Sequence, residues 1–288
     1  MTLIIAVGIA TGCVYALVGV GYSLIYRTTG IVNFAQGSFV ALGGMSAYWL
    51  LDVIRLPYPV ALILALVLAT LSGLLLWVLI VLPIWRRRSE PVSVMMATLV
   101  VAGLAGALLQ KWLGTQPRTL PDWLPGVRIA LPGATVTGQF ALVIVATVVL
   151  VGAIGALLQY STLGRSMRAC AASRDTSALL GISPERIGAF SMAATAAVGG
   201  LGGILIAPAQ YTSTDATTYG IFGFVAAVLG GFGTLRGPVV GGMMVGLLQA
   251  FVGRYLSAQY ETVMVFALLL VLLTLRPQGL LGSQWSEH

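Results

Sequence analysis

Charge is what this sequence has least of. Its 288 residues include only 15 Lys+Arg and 8 Asp+Glu, 8% of the chain, against about a quarter in ordinary soluble domains. Hydrophobic residues make up 58%, so too few polar side chains remain to cover a water-facing surface. That shortage excludes soluble dehydrogenases and disordered regulators. The formal net charge of +7 does not point to nucleic acid either, because such a footprint needs basic side chains clustered on an aqueous face. Here the arginines punctuate long apolar runs, and the solvent those runs are built for is lipid.

Cysteine, histidine and lysine are nearly missing too. Two cysteines, Cys13 and Cys170, offer no disulfide framework or metal cluster, and both read as thiols that fill space. The one histidine is His288, at the last position, which leaves no interior imidazole for a Ser-His-Asp or Cys-His nucleophile. The single lysine, Lys111, lies between Gln110 and Trp112, so no phosphate-cradling loop of the form G-x-x-x-x-G-K-[ST] exists. The chain is therefore expected to be no enzyme, with no cofactor or metal of its own.

What the sequence has is long apolar stretches. The first, Leu3 to Tyr26, holds 24 residues, enough at about 1.5 Å per residue to cross a bilayer core of about 30 Å. Its first positive side chain, Arg27, follows it, whereas a signal peptide carries its basic segment in front. Further runs are Ile31 to Leu51, Val60 to Trp85, Pro91 to Trp112, Gln139 to Gln159, Ile187 to Ala207, Tyr219 to Leu235, Val239 to Val252 and Thr262 to Leu275. Tyr219 to Leu235 and Val239 to Val252 are short and glycine-rich, so they read either as spans or as broken, re-entrant helices. The expected fold is an all-α polytopic membrane protein of eight or nine transmembrane helices, one domain over residues 1–288.

Basic residues set the orientation. Nine spans with the N-terminus outside put Arg27, Arg86, Arg87, Arg88, Arg165, Arg168, Arg174, Arg186, Arg236 and Arg276 inside, and Arg55, Lys111, Arg118, Arg128 and Arg254 outside. The C-terminus then lies in the cytoplasm. Apart from Lys111, beside the end of the fourth run, the runs hold no Asp, Glu, Lys, Arg or His. Ion-coupled carriers place such groups in the membrane, so the driving energy is expected from another subunit, or conduction is passive.

An ATP-driven transporter needs a cytoplasmic handle, and the loop 161–186 is the candidate. Ser173 or Asp175 can cap a short helix through Leu180, Gly181 suits the left-handed position after it, and Ser183-Pro184 restarts the chain into the next span. Glu185 falls one place early for a full capping box. The same loop also serves as a positively charged topology anchor, and both readings stand. Asn33 and Gln36, three apart, are expected on one helical face ahead of Gly37 and Ser38, to meet either a polar substrate or a neighbouring helix. The break at Gly230, Gly231 and Gly233 is either close packing or a discontinuous helix of a transport pathway. The outward loop 114–138 has a possible hairpin, Val127 to Leu131 with Ala134 to Thr137 around Pro132-Gly133. It would be a cap on the bundle or a docking surface.

Four stretches together carry a resemblance. They are Thr29 to Gly37, Gly164-Arg165-Ser166-Met167-Arg168-Ala169 through Ala178 to Ile182, Gly230 to Pro238, and Leu275 to Gly282. In this order and spacing the chain resembles the LivH-type permeases of branched-chain amino acid ABC transporters along nearly its whole length. Gln36 is a departure, standing where many members carry histidine. The resemblance implies a pore shared with a second, LivM-like permease, two cytoplasmic ATP-binding subunits that hold ATP and Mg, and a periplasmic substrate-binding protein, all around membrane lipid in a bacterial inner membrane. It implies a coupling helix involving Arg168, Ser173, Asp175, Ala178, Leu179 and Gly181. Permeases for urea and short amides look similar, and a passive channel for a small neutral solute is the competing class.

Overall fold

The computed structural model describes residues 1–282 except 88–89, 125, 132–133, 211 and 213–216. Arg88, Pro125, the Pro132-Gly133 turn and His288 therefore lie outside the described residues. The helices are α1 (Thr2–Thr29), α2 (Gln36–Tyr48), α3 (Tyr58–Leu76), α4 (Leu82–Arg86), α5 (Pro91–Leu113), α6 (Gly138–Tyr160), α7 (Thr162–Ala172), α8 (Arg174–Leu179), α9 (Pro184–Ile206), α10 (Thr217–Gly230), α11 (Arg236–Tyr255) and α12 (Glu261–Leu275). Strands β1 (Arg128–Leu131) and β2 (Ala134–Thr137) pair antiparallel, with Arg128 opposite Thr137. This is the hairpin foreseen in the outward loop. π-helical turns at Trp49–Val53 and Trp77–Val81 extend α2 and fuse α3 to α4.

Six of these segments are long and apolar enough to cross a membrane: α1, the α3–α4 rod, α5, α6, α9, and α12 with its preceding turn. The protein is an all-α polytopic membrane protein. Three boundaries differ from the sequence reading. Helix α10 stops at Gly230 rather than Leu235 because Gly231 and Gly233 take positive φ, 109° and 80°. Helix α11 is longer than expected, starting at Arg236, where the Thr234 hydroxyl accepts from Gly237 N at 3.0 Å. Helix α2 starts at Gln36 and not at Ile31, since Asn33 Oδ1 accepts from Ala35 N at 3.0 Å and ends the extended stretch in a turn.

Helix α1 is the centre of the bundle, buried without break from Ala10 to Ile25. Its widest contact is with α11, along a seam of small residues. Gly8 and Gly12 on α1 face Gly242, Gly246 and Ala250 on α11, so closely that a Cβ on Gly246 would overlap the Gly8 carbonyl and the Gly12 nitrogen. Lipid tails are as apolar as leucine, so helices in a bilayer gain little by merely hiding apolar surface, and close backbone approach supplies the packing instead. Helix α9 makes the same kind of contact with α2, where Gly200 and Gly203 meet Gly43 and Val40.

The chain contains two units of one design running in opposite directions. Helix α1 crosses to the arginine-rich end, residues 30–35 turn back, and the shorter α2 sets out again alongside α9, with Gln36 near Thr195 and Val40 near Gly203. Helix α9 crosses the other way, and α10 then runs back alongside α1, with Tyr219 beside Tyr15 and Phe232 beside Tyr26. Both short helices begin inside the bundle. Gln36 packs on Gly21, six residues or about 9 Å short of Arg27 along α1.

Candidate functional site

The starts of these two short helices meet. A Cβ on Gly220 of α10 would lie 3.1 Å from Gly37 Cα of α2, and Tyr22 on α1 donates from its hydroxyl to the Gly220 carbonyl at 3.3 Å. Beside this junction is a cavity of about 530 Å³, lined by Gly37, Ser38, Gly220, Tyr22, Phe34 and Phe224, and walled on its outer side by α5 and Phe266. The first turns of a helix leave backbone N–H groups without intrahelical partners and carry the positive end of the helix dipole. At the α2 start the Gln36 and Ser38 N–H groups are already taken by the Asn33 and Ala35 carbonyls, at 3.2 and 3.0 Å, so what the two ends offer an anionic group is chiefly the helix dipole, with four aromatic rings beside them for an apolar group. Among the described residues, no three His, Cys, Asp or Glu side chains come together to hold a metal.

The predicted pathway residues divide. Gly37 and Ser38 line the cavity. Asn33 and Gln36 are fully buried instead and turn toward α9: Asn33 Nδ2 donates to Met192 Sδ at 3.3 Å, and Gln36 Nε2 to the Thr195 carbonyl at 3.2 Å. The single helical face expected for them does not exist, since Asn33 precedes the helix. Gly230, Gly231 and Gly233 sit at the arginine-rich end of the bundle. There Leu280 N and Leu281 N donate to the carbonyls of Leu229 and Gly230, both at 2.9 Å, and Gly233 lies over the Tyr26 ring. Leu280 and Leu281 thus complete the last turn of α10, and two of the four motif stretches form one unit.

Within the loop 161–186 there are two helices where one was expected. Ser161 caps α7, accepting from Gly164 N at 3.0 Å, and α7 buries Met167 and Cys170 against Leu24, Leu158 and Ile187. Burial pushes the Cys170 thiol above its ordinary pKa, in keeping with a residue that fills space. Ser173, not Asp175, caps α8, its hydroxyl accepting from Thr176 N at 3.2 Å. Gly181 takes φ 79° and Ser183 caps α9, as read from the sequence. Ala178 is exposed and Leu179 is 88% exposed, so α8 turns an apolar tip outward. Arg168 is placed apart from that tip, donating to the Leu158 carbonyl at the end of α6.

Comparison with known proteins settles the class. The family described as branched-chain amino acid transport system / permease component matches residues 4–275. The chain belongs to this permease family. It is 29% identical to the high-affinity branched-chain amino acid transport system permease protein LivH of Salmonella typhimurium, over 96% of this chain and 93% of the relative. It is 27% identical to the corresponding protein BraD of Pseudomonas aeruginosa, over 96% and 94%, and 25% identical to a probable LivH of Methanocaldococcus jannaschii, over 94% and 89%. No solved structure matches.

Tyr22, Phe34, Gly220, Phe224 and Phe266 were missed as lining residues of the permease. Only Phe34 and Gly220 carry a sequence signal, and it is weak: each lies beside a polar or extended break in an apolar run, where a helix begins inside the membrane. Two side-chain contacts tie α8 and the start of α9 to α4. Arg86 at the end of α4 donates to both carboxylate oxygens of Glu185, at 2.7 and 2.6 Å, and the Arg174 guanidinium lies 3.3 Å from the centre of the Trp85 ring. Glu185, one place early for a capping box, holds α4 instead.

Proposed function

We propose that this chain is the membrane-spanning permease subunit of an ATP-driven importer that carries branched-chain or related hydrophobic amino acids across the inner membrane by alternating access. The observation that carries the reading is the meeting of the α2 and α10 starts beside the aromatic cavity. The positive ends of the two helix dipoles would favour a carboxylate there without a buried cation, which agrees with runs almost free of ionisable side chains. Phe34, Phe224 and Phe266 give an aliphatic side chain an apolar wall. Chemistry stays with the partners: two ATP-binding subunits holding ATP and Mg, with a second LivM-like permease completing the pore and a periplasmic binding protein delivering substrate.

In this reading the arginine-rich end faces the cytoplasm, with N-terminus outside and C-terminus inside, and ATP binding pushes on α8 through Ala178 and Leu179. Ser173 and Gly181 fix the two ends of that helix, and Asp175 lies in its first turn, where a negative charge favours the helix dipole. Arg86–Glu185 and Arg174–Trp85 pass the displacement to α4 and, through the π-helical turn, to α3.

Gly103 tests the cavity, because it lines it and a Cβ there meets nothing within 4 Å. The Gly103→Trp complex should assemble normally and lose at least tenfold in uptake of leucine, isoleucine and valine. Unchanged uptake would remove the cavity from the pathway. Uptake by the chain without its ATP-binding partners would point to a passive channel.

A further inference from the structure

A second cavity of the chain, about 790 Å³, lies at the arginine-rich end between α1, α6, α7 and α11. Three arginines from separate elements line it: Arg27 from the last turn of α1, Arg168 from α7, and Arg236 at the first residue of α11. Asp52, Glu90, Asp122, Asp175, Glu185 and Glu261 are the acids among the described residues, and none of them lines this space. Arg168 spends one N–H on the Leu158 carbonyl. Neither Arg27 nor Arg236 has an acidic partner among the described residues, and the α11 N-terminus adds the positive end of its dipole. Like charges gathered at the edge of a low-dielectric bundle repel unless an anion sits among them.

Apart from Gln159, the rest of the cavity is apolar and grooved. Val151, Leu235, Val239 and Val240 form its walls, and Gly152 and Gly155 leave its α6 side without side chains. A Cβ on Gly152 would meet nothing within 4 Å, and one on Gly155 only Leu235 Cδ1, at 4.0 Å. The glycines of the α1–α11 and α2–α9 seams admit a neighbouring backbone; these two admit none, so the space they leave is open. The next turn outward on α6 presents Val148 and Val149, 64% and 62% exposed, to the lipid. A cationic head space continuous with an apolar groove is the shape of a phospholipid, and basic pockets between helices at a membrane face take anionic headgroups. Arginine suits the phosphate through paired N–H donors.

We propose that this cavity binds an anionic phospholipid, its phosphate held among Arg27, Arg168 and Arg236 and an acyl chain lying over Gly152 and Gly155. The lipid joins α7 to the ends of α1 and α11, so it steadies the base of the loop that carries α8.

The test uses the complete transporter complex in detergent, offered an equimolar mixture of phosphatidylglycerol and phosphatidylcholine and read by native mass spectrometry. Phosphatidylglycerol should be retained at least tenfold over phosphatidylcholine. Arg27→Gln combined with Arg236→Gln should lower its retention at least tenfold. Gly152→Leu, which keeps all three charges and fills the groove, should lower it as much, with Gly155→Leu as a second filler should the first not assemble. Equal retention of the two lipids overturns the proposal. So does undiminished phosphatidylglycerol in the glycine variants, or its displacement by millimolar inorganic phosphate, either of which marks a site for a free anion.

Discussion

Helices α9 and α5 are both 23 residues of largely apolar sequence, yet 72% of the most apolar stretch of α9 is buried against 11% of that of α5. Hydrophobicity does not separate them, because lipid welcomes both. The difference lies in what stands opposite their glycines. Gly199, Gly200 and Gly203 of α9 meet the backbone or side chains of α2, whereas Gly103 of α5 meets nothing. In water an apolar helix is drawn inward by its surface; in a bilayer it goes inward only where a neighbour can approach. Burial in this permease follows partnered small residues.

The largest expected effect breaks that comparison at its strongest point. Gly246→Leu places a branched side chain where a Cβ already overlaps the Gly8 carbonyl, so α1 and α11 must part along their whole seam. Overpacking of this kind costs about 3 kcal/mol or more. The variant should yield little folded protein by fluorescence-detected size-exclusion chromatography. Gly103→Leu, an identical exchange on the outer helix, should change stability by less than about 0.5 kcal/mol. Equal loss in the two would show that glycine content, and not the facing neighbour, governs the bundle.

The next effect is on transport rather than folding. Leu179 at the tip of α8 is more exposed than the leucines of the outer helices, and it lies at the aqueous end, where exposed leucine is costly unless a partner covers it. Ala178→Trp should leave assembly with the second permease intact and abolish substrate-stimulated ATP hydrolysis and uptake. Gly181→Val adds a cost of about 1 kcal/mol or more at φ 79° and should uncouple in the same way. If both transport at the wild-type rate, the loop serves only as an anchor, and the ATPase contact belongs elsewhere, first at residues 86–90.

These contrasts mark what was legible in the sequence. Local chemistry was: the apolar runs, the caps at Ser173 and Ser183, the left-handed Gly181 and the hairpin all depend on a few adjacent residues. Gly37 and Ser38, named as pathway residues, line the cavity, while the helical face expected for Asn33 and Gln36 is not in the structure. The meeting of Gly37 with Gly220 and the closing of residues 279–282 on Gly230 were not legible, because they join segments far apart in the chain. Helices that are apolar all round, such as α6 and α12, carry no periodicity to say which side faces inward. Where α2 begins was hidden for a related reason: Ile31 and Val32 are as apolar as a helix would require, and the later start depends on Asn33 turning to Ala35 N and on Thr98, far along the chain, holding Phe34 N.

The smallest effect concerns the pair that ties the α9 start to the α4 end. Arg86 and Glu185 make a bidentate contact, but their side chains are 61% and 41% exposed. Water and salt screen an ion pair so placed, so even with bidentate geometry its expected contribution to stability is small. Glu185→Gln should therefore move the melting midpoint of the complex by no more than about 2 °C, and the wild-type advantage should shrink further in half-molar salt. Uptake is the more sensitive reading. If the pair passes the displacement of α8 to α4, Glu185→Gln should lower the turnover of uptake more than it lowers stability, and Arg174→Ala, which removes the cation over Trp85, should add to the loss. A melting shift as large as that of Gly246→Leu would break the comparison, because it would mean that an exposed ion pair, rather than close backbone contact within the bilayer, holds this permease together.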